Sequence, residues 1–391
     1  MPDNQNIIGL PDFELVKIHN IHPQKLEVRY VGKIECPHCL SLRLRIKDSF
    51  LRNLRHESWG TYATRLLVWA HKYHCQDCGR YFNSRFPGIL PYQRATESFK
   101  KEIVEKHHFG ISQQALSKRE GLGNATIERW YHQSLELKRR EFSDRQCPRV
   151  LGIDEHFFTR KKGFVTTFVD LAKHRVFELA LGRSENALES FLKRLKGRER
   201  VLVVVIDLSA TYRAIVKKYF PNAKIVSDRF HVIRMINHAF LKTWHQLDEN
   251  SRWNRGLSSL MRRHQQHLSD EQKINLRRYL ESIPGLDILY DFKQDLCKVM
   301  LTKSINHYQA KLLIPQFLEK IRLLKESGFE IMRSLGKTLD SWKEEIARMW
   351  RFTKTNSITE GLYTKMEMIN RRAYGFRNFE NYKLRVIVLC G

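Results

Sequence analysis

The chain has 391 residues, enough for two to four domains, and its 42% hydrophobic content can supply several cores. Its 69 Lys and Arg outnumber its 42 Asp and Glu, which gives a formal net charge of +27. No window approaches a membrane span and no signal peptide is evident, so we expect a cytoplasmic protein and no membrane partner. A polyanion is the partner that this charge indicates, although a basic protein that stays soluble or binds acidic proteins is the alternative.

Two Cys-x-x-Cys pairs occur in the amino-terminal third, at Cys36-Pro-His-Cys39 and Cys75-Gln-Asp-Cys78. Disulfides are not expected in the cytosol, and two such pairs together supply the four thiolates of a structural Zn²⁺ site. The segment between them alternates as strands do, which predicts a zinc ribbon over residues 1–92. Exchange of one cysteine for a nearby histidine stays open, as does a redox dithiol; the histidines are His38, His71 and His74.

Arginines alternate with aromatic residues just after the second cysteine pair, in the segment 79–86. Arg80 and Arg85 are therefore candidates for contact with DNA phosphates. The aromatic residues could equally form the small core of the ribbon, and the pattern does not decide between these interpretations.

Residues 96–137 predict three short helices. The first spans about 97–107, the second follows an N-cap at Ser112, and the third spans about 125–137 after a turn at 121–123 and an N-cap at Asn124. This order is typical of a helix-turn-helix domain, here over residues 93–146. Its second helix would present three side chains to a major groove, with Ile127 and Trp130 packed inward: Thr126, Arg129 and His132. An ordinary helical bundle is the alternative.

The pattern changes at Val150 to short apolar strands alternating with helices. The predicted elements are strands at 150–153, 164–169 and 176–181, a helix at 185–195, a strand at 201–206, a helix at 211–219 and a strand at 224–226. A meander followed by β and α units predicts a mixed sheet with helices on its faces, an order that matches the ribonuclease-H-like fold. Long helical periodicities then dominate, so we expect a split core with an α-helical insertion, the three segments being 147–232, 233–350 and 351–391.

Three acidic residues have contexts that suit a metal site. Asp154 and Asp207 each end an apolar run, and Glu360 lies early in a predicted helix. Together they would form an oxygen-rich site for two Mg²⁺ or Mn²⁺ ions, which can drive phosphodiester cleavage. Each has an ordinary alternative: Asp154 as a hairpin residue, Asp207 as a helix cap, and Glu360 as the third helical residue of a capping box that begins at Ser357. Other acids compete for these roles, namely Glu155, Asp170 and Asp228.

Several motifs resemble those of the DDE transposases of bacterial insertion sequences, in the zinc-ribbon group written "ISL-three". They are Gly152-Ile-Asp-Glu155, Val205-Ile-Asp-Leu-Ser-Ala-Thr-Tyr-Arg213, Phe220-Pro-Asn-Ala223, Ser227-Asp-Arg-Phe-His-Val232 and Thr359-Glu-Gly-Leu362 with Arg371-Arg-Ala-Tyr-Gly-Phe376. The resemblance covers nearly the whole chain. It implies that Asp154, Asp207 and Glu360 are the catalytic triad.

The resemblance also implies a reaction and its partners. The protein would bind the terminal inverted repeats of its element, cleave at the ends by metal-dependent hydrolysis, and join the 3′-hydroxyl ends to target DNA. Two ends must be brought together, so a homodimer or higher assembly on the bacterial nucleoid is expected. Four basic residues would follow the phosphates near the scissile bond, with a solvated helix face as their alternative: Lys365, Arg371, Arg372 and Arg377. The rival functions are a DNA-binding regulator with an inactive core and a nuclease that cleaves without joining.

Overall fold

The computed structural model describes residues 8–60, 62–141, 145–302, 307–352 and 357–391. The chain divides into two compact units, Met1–Lys138 and Arg139–Gly391. The described helices include none that is long and apolar enough to cross a membrane.

A five-stranded sheet forms the first part of the amino-terminal unit. Its strands are β1 (Phe13–Ile21), β2 (Gln24–Tyr30), β3 (Leu44–Trp59), β4 (Tyr62–Cys75) and β5 (Tyr81–Asn83). The order is β1-β2-β4-β3, with β5 paired to β4. Only β2 and β4 are parallel among these pairs. The strands predicted between the cysteine pairs are thus confirmed, as a long hairpin of β3 and β4.

Alternation along β4 places one set of side chains in the core of this unit. Leu66, Val68 and Ala70 lie on one face of the strand and are buried, because successive side chains of a strand point to opposite faces. They pack with Phe13 and Leu54 in a single apolar cluster. The sheet is therefore half-buried, and its two faces differ in chemistry.

Three helices follow the sheet: α1 (Glu97–His108), α2 (Gln113–Glu120) and α3 (Asn124–Arg140). The hydroxyl of Ser112 accepts a hydrogen bond from the Ala115 amide at 3.1 Å, so the predicted N-cap is confirmed. The prediction for the third helix was wrong at both ends. Asn124 is its first residue, because the carbonyl of Gly123 already accepts from the Ile127 amide, and the helix continues to Arg140.

The carboxy-terminal unit contains a second five-stranded sheet. Its strands are β6 (Val150–Thr159), β7 (Gly163–Asp170), β8 (Arg175–Leu181), β9 (Val203–Ile206) and β10 (Lys224–Ser227), and its first helices are α4 (Glu185–Arg194) and α5 (Ala210–Tyr219). The order is β10-β9-β6-β7-β8. Strands β6, β7 and β8 are antiparallel, whereas β6, β9 and β10 are parallel. The mixed α/β architecture expected from the sequence is therefore confirmed.

The remaining described residues of this unit are helical apart from short connections. The helices are α6 (Arg229–Leu247), α7 (Arg255–Arg262), α8 (Asp270–Glu281), α9 (Leu286–Leu301), α10 (His307–Glu326), α11 (Glu330–Ser341), α12 (Lys343–Arg351), α13 (Ser357–Arg372) and α14 (Phe379–Cys390). Helices α10 and α11 approach closely at Gly336, where an added Cβ would lie 2.9 Å from the amide nitrogen of Lys325. The expected stretch of helices between residues 230 and 351 is present in the described ranges.

Candidate active site

Strand pairing brings Asp154 and Asp207 together. The parallel strands β6 and β9 pair Val150 with Val203, Leu151 with Val204 and Gly152 with Val205. Asp154 and Asp207 each follow the last of these pairs by two residues, and the charge of Asp207 acts on Asp154. Strand β9 is buried on both faces, so its backbone position is fixed by the core. In sheets of this kind, ligand sites lie at the carboxyl ends of the strands.

Both carboxylates lie in surroundings that disfavour their charge. Burial raises the pKa of Asp154 to about 6, and the neighbouring charge of Asp207 acts in the same direction. Burial also raises the pKa of Asp207. The imidazole of His231 opposes both shifts. Within the described ranges, the buried Oδ1 atom of Asp207 has no hydrogen-bond partner. Two adjacent, poorly solvated carboxylates of this kind favour a cation between them.

The ordinary roles of two of these acids find no support in the geometry. Asp154 lies inside β6, well before the turn that connects β6 to β7. The cap of α5 is Ser209, whose hydroxyl accepts from the Tyr212 amide at 3.4 Å, and not Asp207. For Glu360, the side chain of Ser357, on which the proposed capping box depends, lies outside the described residues.

The competing acids are occupied by other partners. Glu155 accepts from Arg183 and from the Tyr212 hydroxyl, both at 3.1 Å. Asp170 accepts from two backbone amides of the turn after β7, as expected of a turn residue. Asp228 occupies the N-cap position of α6 and lies 3.7 Å from the His231 imidazole.

Helix α13, which contains Glu360, contacts this sheet through Tyr363. Tyr363, one turn after Glu360, lies with its ring 5.4 Å from that of His156 on β6. The negative charge of Asp154 raises the pKa of Tyr363 beyond the effect of burial, although the Tyr363 hydroxyl forms no hydrogen bond of good geometry in the described residues. Glu360 itself is exposed. Among the described residues, the four cysteines are the one group of three or more possible metal ligands gathered closely enough to hold an ion; Asp154, Asp207 and Glu360 do not form such a group.

A groove of about 790 Å³ contains His231, whose charge acts on both carboxylates, in its lining. It runs along the start of α6 and is lined by His231, Arg234, His238 and Arg262, with no acidic residue among its described lining. Arg234 and Arg262 are both exposed. A basic groove adjoining an acidic centre suits a polyanion whose reacting group must reach the carboxylates.

The cysteine pairs meet in the amino-terminal unit. The Sγ atoms of Cys36 and Cys78 are 3.6 Å apart, those of Cys39 and Cys75 are 3.5 Å apart, and all four lie within 4.8 Å of one another. Zn–S bonds of about 2.3 Å in a tetrahedron require Sγ atoms about 3.8 Å apart, so the cluster is compatible with zinc. Backbone amides lower the pKa of Cys75 to about 6, which favours the thiolate.

The histidines near the cysteines have other contacts. His71 Nδ1 lies 2.8 Å from the Ser49 hydroxyl, and His74 packs on the Tyr81 ring. His38 lies 3.1 Å from a guanidinium nitrogen of Arg80. The exchange of a cysteine for a histidine therefore finds no support among the described residues.

The predicted DNA-contacting residues lie mostly on the surface. Arg80, Arg85 and Arg129 are exposed, and Thr126 and His132 are half-buried. The four predicted basic residues on and after α13 are also exposed: Lys365, Arg371, Arg372 and Arg377. Arg371 is ion-paired to Glu367 at 2.6 Å. At 100° per residue, Arg371 shares the helix face of Glu360, whereas Lys365 lies about 140° away. Their DNA contacts stay a prediction.

A family model described as a transposase, of the DDE type and the ISL3 group, matches residues 151–386. The chain belongs to this transposase family. The matched segment begins in β6, ends in α14, and includes Asp154, Asp207 and Glu360. The family resemblance inferred from the motifs is therefore confirmed.

Two curated relatives differ greatly in coverage. The transposase for insertion sequence element IS1001 of Bordetella parapertussis is 24% identical over 362 residues, which are 90% of this chain and 87% of that protein. An ATP-dependent protease of Lactococcus lactis subsp. lactis is 26% identical over 125 residues, about a third of each chain. The first match thus covers most of both chains, whereas the second covers about a third of each.

The sequence did not single out two residues that adjoin the carboxylates, His231 and Tyr363. His231 occurs in a motif used for the resemblance but received no role there. Tyr363 could have been noticed as the residue three positions after Glu360, on a neighbouring face of the same helix. Arg234, in the lining of the groove, carries no local signal in the sequence.

Proposed function

We propose that this family member is the transposase of an insertion sequence. It binds the terminal inverted repeats of its element, cleaves the ends by metal-dependent hydrolysis, and joins the 3′-hydroxyl ends to target DNA in the bacterial cytoplasm. The observation that carries the proposal is the pairing of β6 with β9, which sets Asp154 beside Asp207 within the segment that matches the family.

Asp154 and Asp207 are proposed to hold two divalent cations between them, and Glu360 to complete the coordination of one. The unpartnered, buried Oδ1 atom of Asp207 fits this role, since carboxylate oxygens are the ligands that Mg²⁺ and Mn²⁺ prefer. A two-metal site shares its ligands between two ions, so the three carboxylates would not all need to reach a single ion. When bound, such ions polarise a phosphodiester and activate a water or a hydroxyl.

The protein's own groups orient the substrate around these carboxylates. The imidazole of His231 favours the ionised form of both aspartates. The basic groove at Arg234 and Arg262 holds the DNA backbone next to them, as phosphates require cationic partners. Arg371, on the Glu360 face of α13, contacts phosphates near the scissile bond. Lys365, Arg372 and Arg377 are proposed to contact phosphates there as well.

The proposed domains are the ones that the sequence predicts. The strand order β10-β9-β6-β7-β8, with an antiparallel meander followed by parallel strands, supports a ribonuclease-H-like core. The helices α1 to α3 share a core that includes Ile127 and Trp130 and support a helix-turn-helix domain. The proposed segments are a zinc ribbon at 1–92, a helix-turn-helix domain at 93–146, the first part of the core at 147–232, a helical insertion at 233–350 and the last part of the core at 351–391. Synapsis of two ends makes a homodimer or higher assembly the proposed active form.

The decisive experiment compares wild type with Glu360→Gln. Glutamine keeps the size of the side chain and its ability to accept a helix-capping bond, but it removes the negative charge that a cation requires. The assay measures strand cleavage of a labelled duplex from the DNA flanking the coding region, and then joining of the cleaved end to a plasmid. We expect cleavage to fall on the order of a hundredfold or more, with DNA binding unchanged.

Glu380→Gln is the matched control, because Glu380 is an exposed acid near the start of α14 and should leave cleavage at the wild-type rate. Wild-type cleavage by Glu360→Gln would remove Glu360 from the triad. Cleavage without joining would make the protein a nuclease. Binding without either activity in the wild type would make it a regulator.

A further inference from the structure

A second, larger cleft lies wholly within the amino-terminal unit, over the sheet that carries the cysteine cluster. Its volume is about 1140 Å³. Six of its lining residues are basic and none of its described lining is acidic; the six are Arg52, Arg55, Arg65, Lys72, Arg85 and Arg94. We call this cavity the sheet cleft. The sequence pattern had singled out only Arg85 among these six, together with Arg80, which is not part of the lining.

Two of the five arginines, Arg52 and Arg55, bind the walls of the sheet cleft. Arg52 donates to the Gln93 carbonyl at 2.8 Å and to the Leu90 carbonyl at 3.4 Å. Arg55 donates to the carbonyls of Glu120 and Gly121. These bonds tie the segment before α1 and the end of α2 to β3. Their hydrogen-bond partners are neutral carbonyls, and the nearby charge of Glu120 acts on Arg55.

The other four cations are available to a ligand. In the described part of the chain, Arg65, Lys72, Arg85 and Arg94 form no ion pair with an acidic side chain. Lys72 lies over the Tyr81 ring, with 5.6 Å between Nζ and the ring centroid. Lys72, Arg85 and Arg94 are exposed. A concave surface with this much unpaired charge of one sign concentrates a polyanion.

Tyr92 lies at the rim of the sheet cleft. Its φ of 60° is that of the third residue of a turn, in which the Gln93 amide donates to the Leu90 carbonyl at 3.3 Å. The turn leaves the Tyr92 side chain 92% exposed. An exposed aromatic ring beside arginines suits contact with a sugar of the DNA backbone.

We propose that the sheet cleft binds the phosphate backbone of duplex DNA through Arg65, Lys72, Arg85 and Arg94. This inference rests on the proposed function in one respect, that the protein binds DNA. It adds a second basic surface to the groove at the start of α6, and it assigns contacts to Arg65, Lys72 and Arg94, which no motif indicated. Because phosphates are common to all sequences, this surface strengthens binding without selecting a sequence.

The test measures the affinity of the full-length protein for two labelled duplexes, without divalent cations, over a range of salt concentrations. One duplex comes from the DNA flanking the coding region and the other has the same composition in scrambled order. Each lost phosphate contact lowers the slope of log affinity against log salt by about 0.9. We therefore expect the Arg85→Ala/Arg94→Ala variant to lose about 1.8 from the slope, equally on both duplexes.

The matched control is Arg45→Ala/Lys47→Ala, which removes two exposed cations of β3 that do not line the sheet cleft. Zinc content and circular dichroism verify that each variant is folded. An unchanged slope in the Arg85/Arg94 variant, an equal loss in the control, or a loss confined to one duplex would each overturn the proposal. Catalysis is not required for this readout, so its failure is separate from failure of the transposase assignment.

Discussion

Replacement of Asp154 by asparagine should make the protein more stable, in contrast to most substitutions of a half-buried polar residue. The pKa of Asp154 is raised from 3.8 to about 6, mainly by burial. Keeping this carboxylate ionised in the fold therefore costs about 3 kcal/mol, at 1.36 kcal/mol for each tenfold change in proton affinity. Asparagine has the same shape and keeps an oxygen that can accept from the Glu155 amide, which lies 2.8 Å from Oδ1.

The stability difference between Asp154→Asn and wild type should depend on pH. The folded state binds the Asp154 proton more tightly than the unfolded state, so the cost is fully present above pH 6 and disappears as the pH falls toward 4. The free energy of unfolding of Asp154→Asn should thus exceed that of wild type by up to about 3 kcal/mol at pH 7.5 and equal it near pH 4. Mg²⁺ at about ten times its dissociation constant should raise the stability of wild type by about 1.4 kcal/mol and leave the variant unchanged.

The assay is urea denaturation followed by tryptophan fluorescence and circular dichroism at several pH values. Chelators are omitted because they would also remove zinc. The control is Asp170→Asn, which disturbs a carboxylate that accepts two backbone amides and pairs with Arg175 at 3.6 Å. It should be less stable than wild type by about 1–3 kcal/mol. An Asp154→Asn protein that is no more stable than wild type at pH 7.5, or whose advantage does not change with pH, would refute the reasoning.

Two further predictions concern other buried groups. Cys36→Ser should lose one equivalent of zinc by metal analysis, because three thiolates do not close the tetrahedral site; unchanged zinc content would remove the zinc assignment. Burial lowers the pKa of Lys293 to about 8, and its ammonium donates to the Met261 carbonyl at 2.9 Å. The folded state therefore releases this proton first, and wild type should gain stability relative to Lys293→Met as the pH rises from 8 to 10. A difference that is constant across this range would contradict the assignment.

Local patterns determined much of this protein. The Cys-x-x-Cys pairs identified the ligands of the cysteine cluster, because each pair occupies a single turn of the chain. The alternation and apolar runs located every strand of the second sheet, and Ser112 was correctly read as an N-cap. The motifs around Asp154, Asp207 and Glu360 were long enough to identify the transposase family.

Tertiary structure decided what these patterns could not. The pairing of β6 with β9 made Asp154 and Asp207 neighbours. Ser209, and not Asp207, caps α5. The sheet cleft and the approach of Tyr363 to Asp154 each join residues from elements that are distant in the chain. The groove at Arg234 joins α6 to Arg262 of the following helix. A sequence pattern reports the conformation of one element, whereas charge density and desolvation depend on which elements pack together. Charge density and desolvation could therefore be assessed only from the packing of each sheet with its own helices.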